Sequence, residues 1–449
     1  MKKYSRATYV KAGALSLIFA LFSVLYVLLL TALPKYAGRL PLMLLLGMLD
    51  WFLYLDIRRY LKLKLNTSGV IFAIFWWLPM LLLLAFLIAT TFVPIQELPA
   101  WPRNLFPGIA IIGYLVKMVL VAFFVPAYLF TAGMLLFNRI TGKKATWPGI
   151  TSNVFKKMGI FFGSLAFAGL IIGSTVWVYK FKIHRINLAI ASMPPELNNL
   201  RIVQLSDIHL GSWMSTRPLQ RAVDSVNALN PDIIVFTGDL VNYSTAEVKG
   251  FESILARLKA RIGIYAITGN HDYGDYTTWP SPEAKQQNFD DLVAFYKQLG
   301  WKLLLNDVDY INVDSARILI AGVENWSSTA RFKRYGDLAK TMKNHEFADV
   351  NILLSHDPTH WEAEVFKQYP EFDLTLAGHT HGMQMGIEAF GLRWSPAQYV
   401  YKHWAGLARY HQPDGSISNL YVNRGLGHIA YPGRVGILPE ITLIKLIAK

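Results

Sequence analysis

The sequence predicts a helical membrane bundle of five spans followed by a water-soluble α/β domain. Three observations predict it. Long uncharged apolar runs crowd the first 180 residues. After residue 199, short β-rich runs alternate with amphipathic, helix-like stretches, which is the pattern of an α/β fold. Asp, Asn and His residues stand directly behind five of those β-rich runs.

The spans come first. Residues 12–34, 69–93 and 158–179 carry no charge. Each is long enough to cross a hydrocarbon core of about 30 Å as a helix. Residues 40–57, with Asp50 near the middle, and residues 107–137, with Lys117, supply two more. A charge near the bilayer centre costs about 2.5–3.5 kcal/mol on insertion scales. Asp50 and Lys117 have opposite signs and fall at similar depths, so they are expected either to pair or, each alone, to face a polar cavity or snorkel. Lys2, Lys3, Arg6 and Lys11 precede the first span, and Arg58, Arg59, Lys62 and Lys64 follow the second. Arg139, Lys143, Lys144, Lys156 and Lys157 lie between the fourth and the fifth. The alternate links hold only Lys35, Arg39 and Arg103. That bias sets the N-terminus in the cytoplasm and, after five spans, the remainder outside it, in a periplasmic or extracellular space.

The net charge is +14, with 16% charged and 53% hydrophobic residues. Much of the basic surplus is this topology signal, so no nucleic-acid partner is expected. The chain has no cysteine, which excludes disulfides, zinc–thiolate sites and cysteine nucleophiles. The expected organisation is a multi-pass domain over 1–180, a linker over 181–198 that also reads as a first strand, and a globular domain over 199–449.

The polar clusters carry the chemistry. "SDIHLG" holds Asp207 and His209, "TGDLVN" holds Asp239, and "TGNHDYG" holds Asn270, His271 and Asp272. "SHDP" holds His356 and "AGHTHG" holds His379 and His381. Each alone reads as turn chemistry or a helix cap. Five strand ends together do not, because ligand sites in α/β sheets form outside the carboxyl ends of strands. Four His, two Asp and one Asn make a mixed nitrogen and oxygen ligand set. It suits Mn, Zn or Fe better than Mg or Ca. Seven ligands suffice for two divalent metal ions that share a bridging carboxylate. Such a pair activates a bridging hydroxide and clamps an in-line displacement at phosphorus.

In order and spacing, "DIH", "GD", "GNHD", the later single His and "GHTH" resemble the five motifs of the calcineurin-like metallophosphoesterases. The tail "NRGLGHIAYPGR" is similar to that of the YkuE-like branch, and spans ahead of such a domain resemble the vertebrate transmembrane metallophosphoesterases. The resemblance implies an αββα sandwich. It implies that Asp207, His209 and His381 hold one ion, that Asn270, His356 and His379 hold the other, and that Asp239 bridges them. It gives His271 the role of stabilising the transition state or protonating the leaving oxygen, with Asp272 orienting it. One departure is visible: Met383 stands where this branch commonly has glycine. A thioether there narrows the pocket or favours an apolar substrate.

Arg424 and Arg434 are candidates for substrate phosphate or equally for surface ion pairs, and Tyr273, Tyr276 and Trp279 for a lid or a membrane contact or equally for an ordinary packed loop. His345, His360, His403, His411 and His428 have no distinguishing spacing and read as structural. The expected function is a membrane-anchored dimetal phosphoesterase, with membrane lipids as surroundings and a phosphoester substrate, lipid-linked or of the envelope. The alternative is a membrane sensor or transport component that binds metal or phosphate without turnover; a histidine in the position of His271 argues against it. The topology has a direct test. A reporter active only outside the cytoplasm, joined after Lys449, is expected to give signal, and a cytoplasmic reporter there is expected to be silent.

Overall fold

The computed structural model describes residues 23–448 apart from positions 25, 29, 33, 65 and 143–147. The first expected span, 12–34, therefore lies largely outside the described residues. The other four appear as helices: α1 (Arg39–Tyr60), α2 (Thr67–Phe92), α3 (Ala100–Thr141) and α4 (Pro148–Thr175). Among the described residues, four helices are thus long and apolar enough to cross a membrane, where five spans were expected along the whole chain. The chain divides into two compact units, Met1–Val93 and Pro94–Lys449.

In the first unit α1 and α2 form a hairpin. Asn66 caps α2, its side-chain oxygen accepting the Gly69 N–H at 3.2 Å. The open end is tied by Arg39, whose guanidinium donates to the Leu87 carbonyl at 2.6 Å and to Thr90 and Thr91. Trp76 donates its indole N–H to the Asp50 carbonyl at 3.1 Å. Asp50 and Lys117, inside the apolar runs, are buried, and Asp56, near the end of the 40–57 run, is half-buried.

In the second unit α3 is 42 residues long. At 1.5 Å per residue it extends about 63 Å, roughly twice the hydrocarbon core. It therefore continues past its own apolar run into the globular domain. Its partner α4 packs along it: Phe123 stacks on Phe162 with ring centroids 5.3 Å apart, and Phe124 is fully buried.

The chain then forms β1 (Lys182–Ile190), β2 (Arg201–Leu205), β3 (Ile233–Thr237), β4 (Gly263–Ile267) and β5 (Lys302–Leu303). Next come β6 (Asp307–Val313), β7 (Ala316–Gly322), β8 (Val350–Leu354) and β9 (Leu374–Ala377). The last are β10 (Ile387–Ala389), β11 (Leu392–Trp394), β12 (Gly406–His411), β13 (Ile417–Val422) and β14 (Glu440–Ala448). One six-stranded sheet has the order β1-β14-β2-β3-β4-β5 and the other β12-β13-β9-β8-β7-β6. The stretch expected as a linker contains β1, which runs parallel to β14 over nine residue pairs. From Arg185 onward its residues alternate between exposed and covered, as suits an edge strand with one buried face.

Successive side chains of a strand face opposite ways, and the central strands of both sheets are covered on both faces. Ile202, Val235 and Ile267 of one sheet meet Ile318, Ile352 and Leu376 of the other in the central core. The alternate residues Val203, Leu205 and Phe236 pack on helices Arg217–Asn227 and Pro282–Gln298 through Leu219, Val223, Leu292 and Phe295. Leu319 and Leu353 pack outward on Leu338 and Trp361. This is the expected αββα sandwich. The near-continuous apolar strands are explained by burial on both faces.

The domain sits directly on the α3–α4 hairpin. Asn104 and Arg103 donate to the Gly211 carbonyl at 2.8 and 3.3 Å. Tyr431 donates its hydroxyl to the Leu170 carbonyl at 2.6 Å, and the Arg434 N–H reaches the Gly173 carbonyl at 3.1 Å. Gly173 permits this approach: a Cβ there would lie 2.6 Å from the Tyr431 hydroxyl and 2.8 Å from the Arg434 carbonyl. Gly173→Leu is therefore expected to cost on the order of 1–3 kcal/mol by overpacking, read as a lower melting temperature in detergent. Gly133→Leu, where a Cβ meets nothing within 4 Å, is expected to leave it unchanged.

Candidate metal centre

The residues singled out in the sequence lie at the carboxyl ends of β2, β3 and β4 in one sheet and of β8 and β9 in the other. The two sheets thus aim their loops at one point. The loops are tight. Asp207, His209, Asp239, His379 and His381 all have positive φ, between 49° and 70°. That region is sparsely used by non-glycine residues, and such strain gathers at functional sites. Gly238 has φ 93°, and a Cβ on it would lie 2.5 Å from the Gly269 nitrogen.

Two groups of donors converge there. Asp207, His209 and His381 form one, and Asp239, His356 and His379 the other, with the donor atoms of each group within 4.8 Å of one another. The His209 and His381 Nε2 atoms are 3.0 Å apart, and His381 Nε2 is 3.2 Å from Asp207 Oδ1. In the second group His356 Nε2 is 3.1 Å from Asp239 Oδ2 and 3.2 Å from His379 Nδ1. Asp239 Oδ2 also lies 3.6 Å from His209 Nε2, so this carboxylate touches both groups. Asn270 lines the same cavity; its Oδ1 is buried without a hydrogen-bond partner, while its Nδ2 donates to the Tyr276 hydroxyl at 2.7 Å.

This donor set fits divalent metal. Imidazole nitrogens and carboxylate oxygens crowd together at distances where lone pairs repel unless positive charge lies between them, and an orphaned amide oxygen joins them. The electrostatics agree. Burial alone would lower the His356 pKa, but the Asp239 carboxylate raises it to about 10. Outer contacts fix the rings: His356 Nδ1 bonds the Thr237 carbonyl at 2.7 Å, which turns Nε2 inward.

His271 sits beside the two groups, its ring 4.9 Å from that of His209 and 4.3 Å from that of Tyr276. Its Nδ1 bonds the Asn242 carbonyl at 2.8 Å. A carbonyl only accepts, so Nδ1 carries the proton and Nε2 is left for the cavity. Burial holds the ring pKa below its usual value. The expected orienting partner, Asp272, does something else. Its carboxylate accepts the backbone N–H groups of Asp239 and Leu240 at 2.9 Å, Gly269 at 2.8 Å and Val241 at 3.3 Å. It staples the loop after β3 to the loop after β4.

The two tail arginines are also engaged elsewhere. Arg424 pairs with Glu440 and Glu388, each at 2.5 Å. Arg434 is fully buried and donates to the carbonyls of Arg424, His381, Gly425 and Gly427. The guanidinium that does line the cavity is that of Arg331, together with the hydroxyls of Tyr276 and Tyr401. No motif marks Arg331 or Tyr401 in the sequence; only the fold brings them in. Tyr401 bonds His379 Nε2 at 3.0 Å. Tyr273 is buried, stacked on Tyr335 at 3.7 Å, and Trp279 donates to the Gly274 carbonyl, so both are structural. His360 is buried against Trp326, as a structural histidine.

The cavity at the centre measures about 500 Å³. Its wall includes Ile111 of α3, Met383, Ile429 and Tyr431, so a membrane helix lines the same space as the convergent histidines. A larger cavity, about 660 Å³, opens beside Ile190, Arg409 and Asn419 and holds none of the convergent residues.

Fold and site together define a calcineurin-like metallophosphoesterase, and residues 200–383 match the model of that family, described as calcineurin-like phosphoesterase. The chain belongs to it. It is 31% identical over 273 residues to the transmembrane protein with metallophosphoesterase domain of Danio rerio, covering 59% of this chain and 57% of that one. It is 31% identical over 261 residues to the uncharacterized metallophosphoesterase YkuE of Bacillus subtilis, covering 57% of this chain and 81% of that one. It is also 26% identical over 315 residues to the UDP-2,3-diacylglucosamine pyrophosphatase LpxG of Chlamydia muridarum, covering 60% and 93%. The match thus spans little more than half the length of the transmembrane relative.

A chain of polar contacts links the first turn of α3 to His271. Arg103 Nη1 lies 3.2 Å from Glu247 Oε1, Glu247 Oε2 accepts the Asn242 N–H at 2.6 Å, and the Asn242 carbonyl holds the His271 ring. Both ionic side chains are buried, at 7% and 2% exposure. Removing one partner strands the other charge. Arg103→Met alone is therefore expected to cost on the order of 3–5 kcal/mol, and Arg103→Met with Glu247→Gln distinctly less than the two single losses summed. Thermal unfolding in detergent reads both.

Proposed function

We propose that this chain is a membrane-embedded dimetal phosphoesterase acting on a lipid-linked phosphoester. In this reading Asp207, His209 and His381 hold one divalent ion, Asn270, His356 and His379 the other, and Asp239 both. Divalent ions in such a site lower the pKa of water and offset charge on phosphoryl oxygens.

The chain's own groups supply the rest. Arg331 faces the cavity with a permanent charge suited to a phosphate oxygen. His271 keeps Nε2 toward the cavity because the Asn242 carbonyl holds Nδ1; the neutral ring first takes up a proton from water at Nε2 and, as imidazolium, gives that proton to the leaving oxygen. Asp272 keeps the loops after β3 and β4 in register.

One observation carries the lipid reading: the cavity shares its wall between the convergent histidines and Ile111 of a helix apolar enough to span a membrane. A head group can lie at the centre while its chains stay along α3. The name of LpxG, a pyrophosphatase acting on UDP-2,3-diacylglucosamine, supports a diacylated, phosphate-bearing compound. An extracytoplasmic domain is supported by the placement of Arg139, Lys156 and Lys157 toward the end of the α3–α4 hairpin away from the domain, which is held at Arg103 and Gly173.

The test is metal content and turnover on a generic phosphodiester and a monoester. Asp239→Asn is expected to lose both ions and all activity. His271→Ala is expected to keep its metal and to slow by roughly 10²–10⁴-fold, the usual range for a general acid. Full metal content in Asp239→Asn would refute the bridging role. Metal binding with no hydrolysis by the intact chain would favour the sensor reading.

A further inference from the structure

The short β10–β11 hairpin and the turn after it have no part in the site, yet they carry most of the exposed apolar surface of the globular domain. Downstream of β1, nine large apolar side chains stand exposed among the described residues. Five of them, Ile387, Phe390, Leu392, Tyr399 and Val400, fall within 14 consecutive positions. Scattered apolar side chains need no explanation, but a contiguous group marks a contact surface. Phe390 stands at the tip, 107% exposed, with a φ of 53° that a bulky residue seldom adopts. Gly391 beside it has φ 78° and completes the turn.

The root of this hairpin shows what it meets. Met385 and Val435 pack on a cluster of Ile112, Leu170 and Tyr431, and Gly386 donates its N–H to the Val435 carbonyl at 2.8 Å. Leu170 lies inside the uncharged run 158–179, five residues before α4 ends at Thr175. That is about 7.5 Å along a helix. The domain therefore already reaches the depth at which α4 is apolar, and the hairpin leaves from that level.

Its composition is interfacial. Trp394 and Tyr399 supply aromatic rings, and Arg393 and Lys402 supply the only cations of the segment. Aromatic and basic residues around an apolar tip are the pattern of a headgroup-level anchor. The segment's single acid, Glu388, is paired with Arg424 at 2.5 Å and Lys182 at 3.5 Å. The register Ile387↔Trp394, Glu388↔Arg393 and Ala389↔Leu392 pairs the strands with each other. A shallow seat suits such a hairpin, because unpaired backbone is not tolerated in the hydrocarbon core.

We propose that the β10–β11 hairpin, with the Tyr399–Val400 turn, is a membrane-inserting finger seated at the headgroup–acyl boundary of the same bilayer that α3 and α4 cross. It is a second membrane contact of the catalytic domain. It adds to the helical anchor and fixes the domain against tilting about the α3–α4 seam. The proposal does not need the phosphoesterase reading, since depth is read without activity.

The chain's lack of cysteine makes the test clean. Phe390→Cys and, separately, Leu392→Cys carry an environment-sensitive nitrobenzoxadiazole dye in the full chain, reconstituted at one copy per nanodisc. Asp414→Cys, on the exposed β12–β13 turn, is the reference. Lipids bearing a nitroxide near the headgroup end of the acyl chain are expected to quench positions 390 and 392 severalfold more than 414. Aqueous iodide is expected to show the reverse order. Equal iodide access at 390, 392 and 414 would overturn the proposal. So would dyes at 390 and 392 that are shielded from iodide only when two copies share a disc, which would assign the face to a second copy of this chain.

Discussion

The constraint on which the rest depends is the burial of Asp239 between two sets of imidazoles. Its carboxylate lies 3.1 Å from His356 and 3.6 Å from His209, with almost no exposure to water. A carboxylate removed from water costs several kcal/mol unless charge and hydrogen bonds compensate. The compensation is built into the backbone. The His271 N–H donates to Asp239, and Asp272 holds the Asp239 loop through backbone N–H groups on either side. The left-handed conformations of five convergent residues are the geometric consequence of crowding that many polar side chains into one place.

That place exists because two mostly parallel sheets meet edge-matched across one apolar core. Parallel strands buried on both faces leave polar residues only at their ends. The loops after β2, β3 and β4 answer those after β8 and β9. Sequence-remote groups such as His209 and His381 come within 3.0 Å only through that pairing. The same packing explains why Asp272 faces the loops and its neighbour His271 faces the cavity.

The membrane helices are part of this architecture as well as its anchor. Arg103 enters the domain as a buried partner of Glu247, and Gly173 lets Tyr431 and Arg434 close on α4. Ile111 then forms wall for the cavity. A phosphoesterase centre and an apolar helix thus share one surface, a combination that a flexible tether would not produce. The tail that resembles the YkuE-like branch does this docking: Arg434 and Tyr431 bind backbone and helix.

The sequence by itself determined the class of fold, four of the helices, the positions of the strand ends and the residues that gather there. Those features follow from local rules: uncharged length, apolar runs of strand size, and Asp, Asn or His where a strand stops. Tertiary structure alone decided which groups are available to a ligand. Arg424 and Arg434 read equally as phosphate binders or as ion-paired residues, and Glu440 and four carbonyls claim them. Arg331 and Tyr401 carry no signal and reach the cavity from separate loops. Residues 182–190 read equally as a linker or a first strand, because an edge strand is specified by β14 more than 250 positions away. The physical reason is the same in each case. A side chain's partners are set by burial and by contacts distant in sequence, and neither is encoded at the residue itself.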